Sequence, residues 1–292
     1  MKITVIQMQS GSEKAANIAA AQSLVERAVW EDQPHLVVLP ETWACIGGDM
    51  ETKLREAEIL PADAGDAAGP AYTAMREMAQ QYGVTLHGGS IHERVGDRLF
   101  NTTVVFSPQG EEIARYRKIH LFDAETLDGV GYRESDEYGA GSELVTYEMD
   151  GLTVGCAICY DLRFPEQFLA LRRAGVELIV LPSAFTLQTG RDHWEVLLRA
   201  RAIDTQCWIA AAAMWGSHLD AEGQNRYTFG HSLLVDPWGQ VVCCAPDGTG
   251  WVTGSLESAR TEQIRAAMPV MRHRTVLDYT SPDVRRDKVP QG

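Results

Sequence analysis

The sequence has no apolar run long enough to cross a bilayer. Its longest, residues 208–215, falls far short of the ~20 residues a membrane helix needs. Basic residues are scarce, 26 Lys+Arg against 40 Asp+Glu, for a formal charge of −14. A nucleic-acid binder needs a basic footprint, so that class is excluded. Only six of the 292 residues are Cys. That is too few for a disulfide scaffold and points to reduced thiols in the cytoplasm. Residues 1–9 carry one Lys and a short apolar stretch with no small-residue cleavage site, so no secretory signal is expected. Asn101-Thr102-Thr103 matches a glycosylation sequon that is expected to be empty. No Pro/Gly/Ser-rich linker, low-complexity segment or internal repeat divides the chain.

What is present is a chain that is 45% hydrophobic, too apolar for disorder and long enough to bury a sizeable core. Residues 2–8 alternate Ile3 and Val5 with Thr4 and Ile6, and predict a first strand. Residues 35–40 form a short continuous apolar run, the pattern of a strand covered on both faces. Further strands are predicted over 84–92, 99–106, 111–116, 143–149, 152–159, 176–181, 207–214, 227–235, 240–245 and 250–256. Asp150-Gly151 signals a tight hairpin. Helical periodicity starts at Ser12-Glu13, after Pro70, and over 165–174, 192–205 and 258–267. Helices interleaved with strands predict one continuous α/β domain over 1–268. The basic tail, 269–292, is expected to be extended. Residues 121–142 are irregular, and a long loop inside a compact domain is usually functional.

The strongest local feature is Gly155-Cys156-Ala157-Ile158-Cys159-Tyr160-Asp161. Cys-x-x-Cys suits a zinc half-site or a redox pair only if both thiols converge at a turn. On a strand, positions 156 and 159 point to opposite faces, so Cys156 reads as a buried apolar residue. Cys159 ends the strand where the chain turns towards Pro165. A nucleophile there is exposed, and the next backbone N–H can face an oxyanion. A structural Cys is the competing reading. Glu41 follows a buried strand, where α/β folds often place site residues, although a loop carboxylate would look the same. Lys118 stands at another strand end, with a solvated basic patch as its alternative, and Glu134 reads as a surface residue of the long loop. A Cys needs a base or a cation to act as a nucleophile. Glu can take its proton and Lys can steady the anion. A Cys–His dyad through His120, His193 or His231 stays open.

Three motifs stand in order: Pro40-Glu41, Tyr116-Arg117-Lys118-Ile119-His120-Leu121, and Cys159-Tyr160-Asp161-Leu162-Arg163-Phe164-Pro165-Glu166. Together they resemble the nitrilase (carbon–nitrogen hydrolase) superfamily, from Ile3 to about Tyr279. The resemblance implies a four-layer αββα sandwich with Glu41 as general base, Lys118 as oxyanion stabiliser and Cys159 as nucleophile. It also implies Glu134 as a second catalytic Glu, the Tyr160 N–H as an oxyanion donor, and Phe185 and Thr186 as substrate-lining residues. Arg163 is a weaker candidate for a substrate carboxylate, or a brace for the turn. No metal or organic cofactor is implied. A homodimer or higher oligomer is implied, with the tail at the interface.

Within the superfamily, Pro182-Ser183-Ala184-Phe185-Thr186, residues 193–203 and Gly230-His231-Ser232 are most similar to the deaminated glutathione amidase and omega-amidase branch. The loop at 126–131 and residues 215–226 depart from it. The implied reaction is hydrolysis of a carboxamide of a small carboxylate, to the acid plus ammonia, through a thioester. Nitrile or N-carbamoyl hydrolysis, a binding protein without turnover, and a thiol redox protein are the alternatives.

Overall fold

The alternation at the N-terminus becomes the strand Lys2–Gln7. Ile3 and Val5 enter one core cluster, while Ile6 and the following Met8 enter another. The strand Leu36–Val38 divides in the same way, with Leu36 and Val38 on one side and Val37 on the other. Both faces are covered, as the continuous apolar run requires. The computed structural model describes residues 1–62, 67–127 and 129–275.

Two sheets pack face to face. The first orders its strands Gly250–Ser255, Lys2–Gln7, Leu36–Val38, Thr85–His87, Arg98–Phe106 and Ile91–Val95, with Glu112–Arg117 also paired to Arg98–Phe106. The second runs Val241–Cys244, Leu233–Val235, Trp208–Ala211, Leu178–Val180, Leu152–Cys156 and Thr146–Met149. Each has three parallel strands at its heart and antiparallel neighbours outside. Ile3, Val5, Leu36 and Val38 meet Val154, Cys156, Leu178 and Val180 between the sheets. Helices Lys14–Asp32 and Pro70–Tyr82 pack Val25, Ala28, Met75 and Met78 against the first sheet. Helices Pro165–Arg173 and Leu187–Thr205 bring Phe168, Leu171, Trp194 and Leu198 to the second. The result is the four-layer αββα sandwich.

Several boundaries differ from the sequence reading. Residues 84–92 form two strands, Thr85–His87 and Ile91–Val95. The break falls at Gly89, which has φ +61, and a Cβ there would lie 2.0 Å from the Pro40 carbonyl oxygen. Only glycine permits that approach. The break also braces the loop carrying Glu41, because Ser90 N–H donates to Pro40 O and Thr42 N–H donates to Ser90 Oγ. Residues 227–235 likewise split at Gly230-His231, both at positive φ. Asn225–Phe229 pairs with Trp215–Leu219 in a separate hairpin, where the sequence reading has a variable segment. The helix expected from 192 starts at Leu187, capped by Thr186. The strand expected over 152–159 stops at Cys156. The 121–142 loop holds a short hairpin, Asp123–Glu125 with Gly131–Arg133. A helix at Met50–Glu56, capped by Asp49, went unforeseen because it buries no side chain. The tail, expected to be extended, instead begins with the short helix Val270–His273, and residues 276–292 lie outside the described residues. Among the described residues no helix is long and apolar enough to cross a membrane.

Candidate active site

The chemistry-bearing residues sit where strands end. Glu41 lies three residues beyond Leu36–Val38, and Lys118 directly follows Glu112–Arg117. Both belong to the first sheet. Cys159 comes from the second, opening the 3-10 turn Cys159–Arg163 after Leu152–Cys156. Its φ is +45, a left-handed conformation that a non-glycine residue adopts at a cost of about 1–3 kcal/mol. Surrounding bonds enforce it. Cys159 N–H donates to Pro182 O at 2.9 Å, and Ile158 N–H donates to Asp161 Oδ2 at 2.9 Å. Tyr160 is the second residue of this turn. First-turn N–H groups have no acceptor within their own helix, so its N–H suits an incoming oxygen.

Lys118 is 2% exposed and lies between two carboxylates. Its Nζ donates to Glu41 Oε1 at 3.1 Å and to Glu134 at 3.0 and 2.8 Å. Burial alone would lower the Lys118 pKa. Glu134 and then Glu41 outweigh it and hold the ammonium well above its ordinary value. Asn101 Nδ2 donates to Glu41 Oε1 at 2.8 Å and to Glu134 Oε1 at 3.3 Å. Backbone groups add to this, with Ala184 N–H on Glu41 Oε2 at 2.8 Å and Phe122 N–H on Glu134 Oε2 at 2.6 Å, beside the Lys118 contact.

Burial first, and the Glu41 charge second, push the Cys159 thiol well above its ordinary pKa, against a smaller opposing pull from Lys118. These surroundings favour the Cys159 thiol over its thiolate. Alkylation by iodoacetamide, followed at Cys159 by mass spectrometry, is expected to accelerate steadily as pH rises beyond ~8.5. A rate plateau reached below neutral pH would mean that the thiolate already exists.

Glu41, Asn101, Lys118, Glu134 and Cys159 all line one cavity of about 390 Å³. The carbon-nitrogen hydrolase family profile matches residues 2–266 of the chain. The chain belongs to the carbon–nitrogen hydrolase family. Among the relatives of this hydrolase, a protein of Synechocystis sp. (strain PCC 6803 / GT-S) named deaminated glutathione amidase is 37% identical, over 93% of this chain and 97% of its own. The chloroplastic omega-amidase of Arabidopsis thaliana is 35% identical, over 97% of this chain and 75% of its own. Of solved structures, the NitFhit protein of C. elegans superposes with a TM-score of 0.81 at 34% identity, over 94% of this chain and 64% of that one. The Nit3 protein of Saccharomyces cerevisiae, described as a member of branch 10 of the nitrilase superfamily, gives 0.81 at 29%, over 92% and 94%.

The hydrolase fold separates the other sequence candidates. Thr186 lines the main cavity, whereas Phe185 does not. Phe185 borders a small second hollow with Cys159, Tyr160 and Arg163, and its ring packs on Trp194 at 4.9 Å. Arg163 lies over the rings of Phe185 and Tyr160. His120, His193 and His231 line neither space. His120 instead stacks on Phe164 and approaches Asp161 Oδ1 at 2.8 Å. Cys156 is fully buried in the intersheet core, its thiol pushed up to about 12 by burial.

Three participants escaped the sequence reading. Asn101 was hidden behind its sequon. The Ala184 N–H has no side-chain signature at all. Asp161, fully buried, accepts from Tyr116 Oη at 2.6 Å and from the N–H groups of Ile158 and His120, tying the Cys159 turn to the strand that ends at Lys118. A buried carboxylate within the Cys159 motif was the available clue.

Proposed function

We propose that this carbon–nitrogen hydrolase is a cysteine amidase that cleaves an amide of a small carboxylate through a Cys159 thioester. The observation that carries this reading is the placement of one buried ammonium between Glu41 and Glu134, in the cavity that holds Cys159. Cys159 Sγ bonds to the carbonyl carbon as its proton passes to Glu41. Lys118 and the Tyr160 N–H hold the oxyanion, an interaction worth about 3–4 kcal/mol per donor in well-studied hydrolases. Glu41 gives its proton to the amide nitrogen, the C–N bond breaks and the amine leaves. Water then adds to the thioester with Glu41 taking its proton. The C–S bond breaks, the acid departs, and the proton returns to sulfur. Glu134 anchors Lys118 and positions substrate, alongside Thr186 and, behind Cys159, Phe185.

The relatives' names supply the substrate class. A primary carboxamide such as α-ketoglutaramate releases ammonia. The amides of deaminated glutathione are secondary, so an amine leaves instead. Deaminated glutathione is the preferred reading, and omega-amidase activity on α-ketoglutaramate the second. A panel of both compounds, a simple aliphatic amide and a nitrile, assayed for acid release, tests this. The two carboxylate-bearing amides are expected to turn over fastest, and a preference for the nitrile would sink the proposal.

The proposed protein is cytoplasmic and homodimeric. Six free thiols suit a reducing compartment. Exposed Val196, Ile203 and Trp238 offer apolar surface for a second copy.

A further inference from the structure

The catalytic cavity presents a charge problem. The proposed substrates are carboxylates and the chain carries −14. Lys118 is shared by Glu41 and Glu134, Lys53 is paired with Glu137, and Arg226 is paired with Asp220 at 2.7 Å. Each of those cations already has an acidic partner inside the same cavity, and Arg133, which also lines it, turns a guanidinium N–H to the Tyr132 carbonyl oxygen.

A second cavity of about 380 Å³ adjoins the first and shares Tyr132, Thr186, Arg226 and Tyr227 with it. Arg191 lines only the second, and among the described residues no carboxylate lies within ion-pair distance of it. Asp192 also borders this space without pairing to Arg191. Adjacent helical positions do not bond to each other, so the Arg191 guanidinium keeps its donors for direct contact with a ligand carboxylate although the Asp192 charge lies on the same wall. Gln188 lines the cavity too, and its Oε1 is buried with no hydrogen-bond partner among the described residues. A buried acceptor of that kind suits an amide N–H. Thr186, Leu187 and Gln188 begin the helix Leu187–Thr205, whose N-terminal partial charge adds to the attraction for an anion.

We infer that the second cavity is a leaving-group subsite, in which Arg191 binds the terminal carboxylate of an extended, peptide-like secondary amide. The inference rests on the amidase reading above and deepens it. A primary carboxamide loses only ammonia and has nothing to place beyond the scissile bond. An extended leaving group reaches past Thr186 and Tyr227, meets Gln188 with its amide N–H, and ends at the guanidinium. The geometry thus favours a substrate with carboxylates at both ends over a short ω-amide, and Arg191 is the residue that separates them.

The test compares three probes: deaminated glutathione, the same compound with its terminal carboxylate amidated, and α-ketoglutaramate. In the wild-type enzyme, amidation is expected to raise KM about five- to ten-fold, the loss of one partly solvated charge-assisted contact, with kcat little changed. Arg191→Gln is expected to lower the kcat/KM ratio of deaminated glutathione over α-ketoglutaramate by a similar factor. Arg191→Lys recovers part of it. Combining Arg191→Gln with the amidated probe adds no further loss, since both remove one contact. A ratio untouched by Arg191→Gln, or losses that simply add, overturns the subsite while leaving the amidase in place. A wild-type enzyme that turns over none of the three removes the amidase reading itself, and the subsite with it.

Discussion

Cys159→Ala abolishes amide turnover and leaves the fold standing. The substitution removes one sulfur from a small buried side chain, so the lost burial is on the order of 1 kcal/mol. The φ of +45 is held by the backbone bonds to Pro182 and the Asp161 carboxylate, neither of which involves the thiol. Glu41, Asn101, Lys118 and Glu134 keep every hydrogen bond they make to one another. The cavity should therefore still bind substrate. Without Sγ no thioester forms, and water attack within the site must replace a two-step route. A fall of about 10⁴-fold or more in kcat is expected, the scale seen when a nucleophile is removed from a hydrolase triad. The measurement is acid release with a thermal melt and calorimetric substrate binding on the same sample. Turnover within a few per cent of wild type would end the covalent mechanism.

Lys118→Met loses both activity and stability. The methionine keeps the apolar stem but removes the charge shared by Glu41 and Glu134. The buried Glu41 and the partly buried Glu134 then lack a counter-ion, and breaking a buried pair from one side costs up to about 3–5 kcal/mol. One carboxylate relieves the repulsion by keeping a proton. Its pKa is then higher folded than unfolded, so the variant is most stable at low pH and loses stability as pH rises towards neutrality. Adding Glu134→Gln removes one of the unpaired charges and is expected to restore much of the melting temperature. It cannot restore activity, because the oxyanion still has no ammonium. Urea melts of the two variants at acid and neutral pH decide this. A single variant as stable as wild type at neutral pH would show that Lys118 is not the charge that holds the site together.

The legible part of the site was the part written in contiguous residues. Cys159-Tyr160-Asp161 announced a turn after a strand, and the turn is there, tighter than expected because the strand gives way at Cys156. Glu134 looked like a surface residue by position and gained a role only through family resemblance. The fold brings it onto Lys118 because the 121–142 segment folds back, with Phe122 N–H gripping its carboxylate. The strand break at Gly89 was written in the sequence as His87-Gly88-Gly89-Ser90, a turn signal that the reading of 84–92 as one strand passes over. The reason for the glycine is the Pro40 carbonyl oxygen, which belongs to another part of the chain.

The scarcity of cations shows the same division. Family resemblance alone pointed to Glu41, Lys118 and Cys159 as the proposed reacting set, whereas the sequence by itself determined the cation count, the −14 balance and the buried faces of the strands. Those follow from side-chain chemistry and from periods of two and 3.6 residues, both local properties. Only the tertiary structure decided which cations are already paired and which, such as Arg191, are left for a ligand. It also decided that residues from two different sheets meet at one set of strand ends. Sheet order and face-to-face packing are long-range choices, settled by burying apolar area between segments far apart in the chain, and no local pattern encodes them.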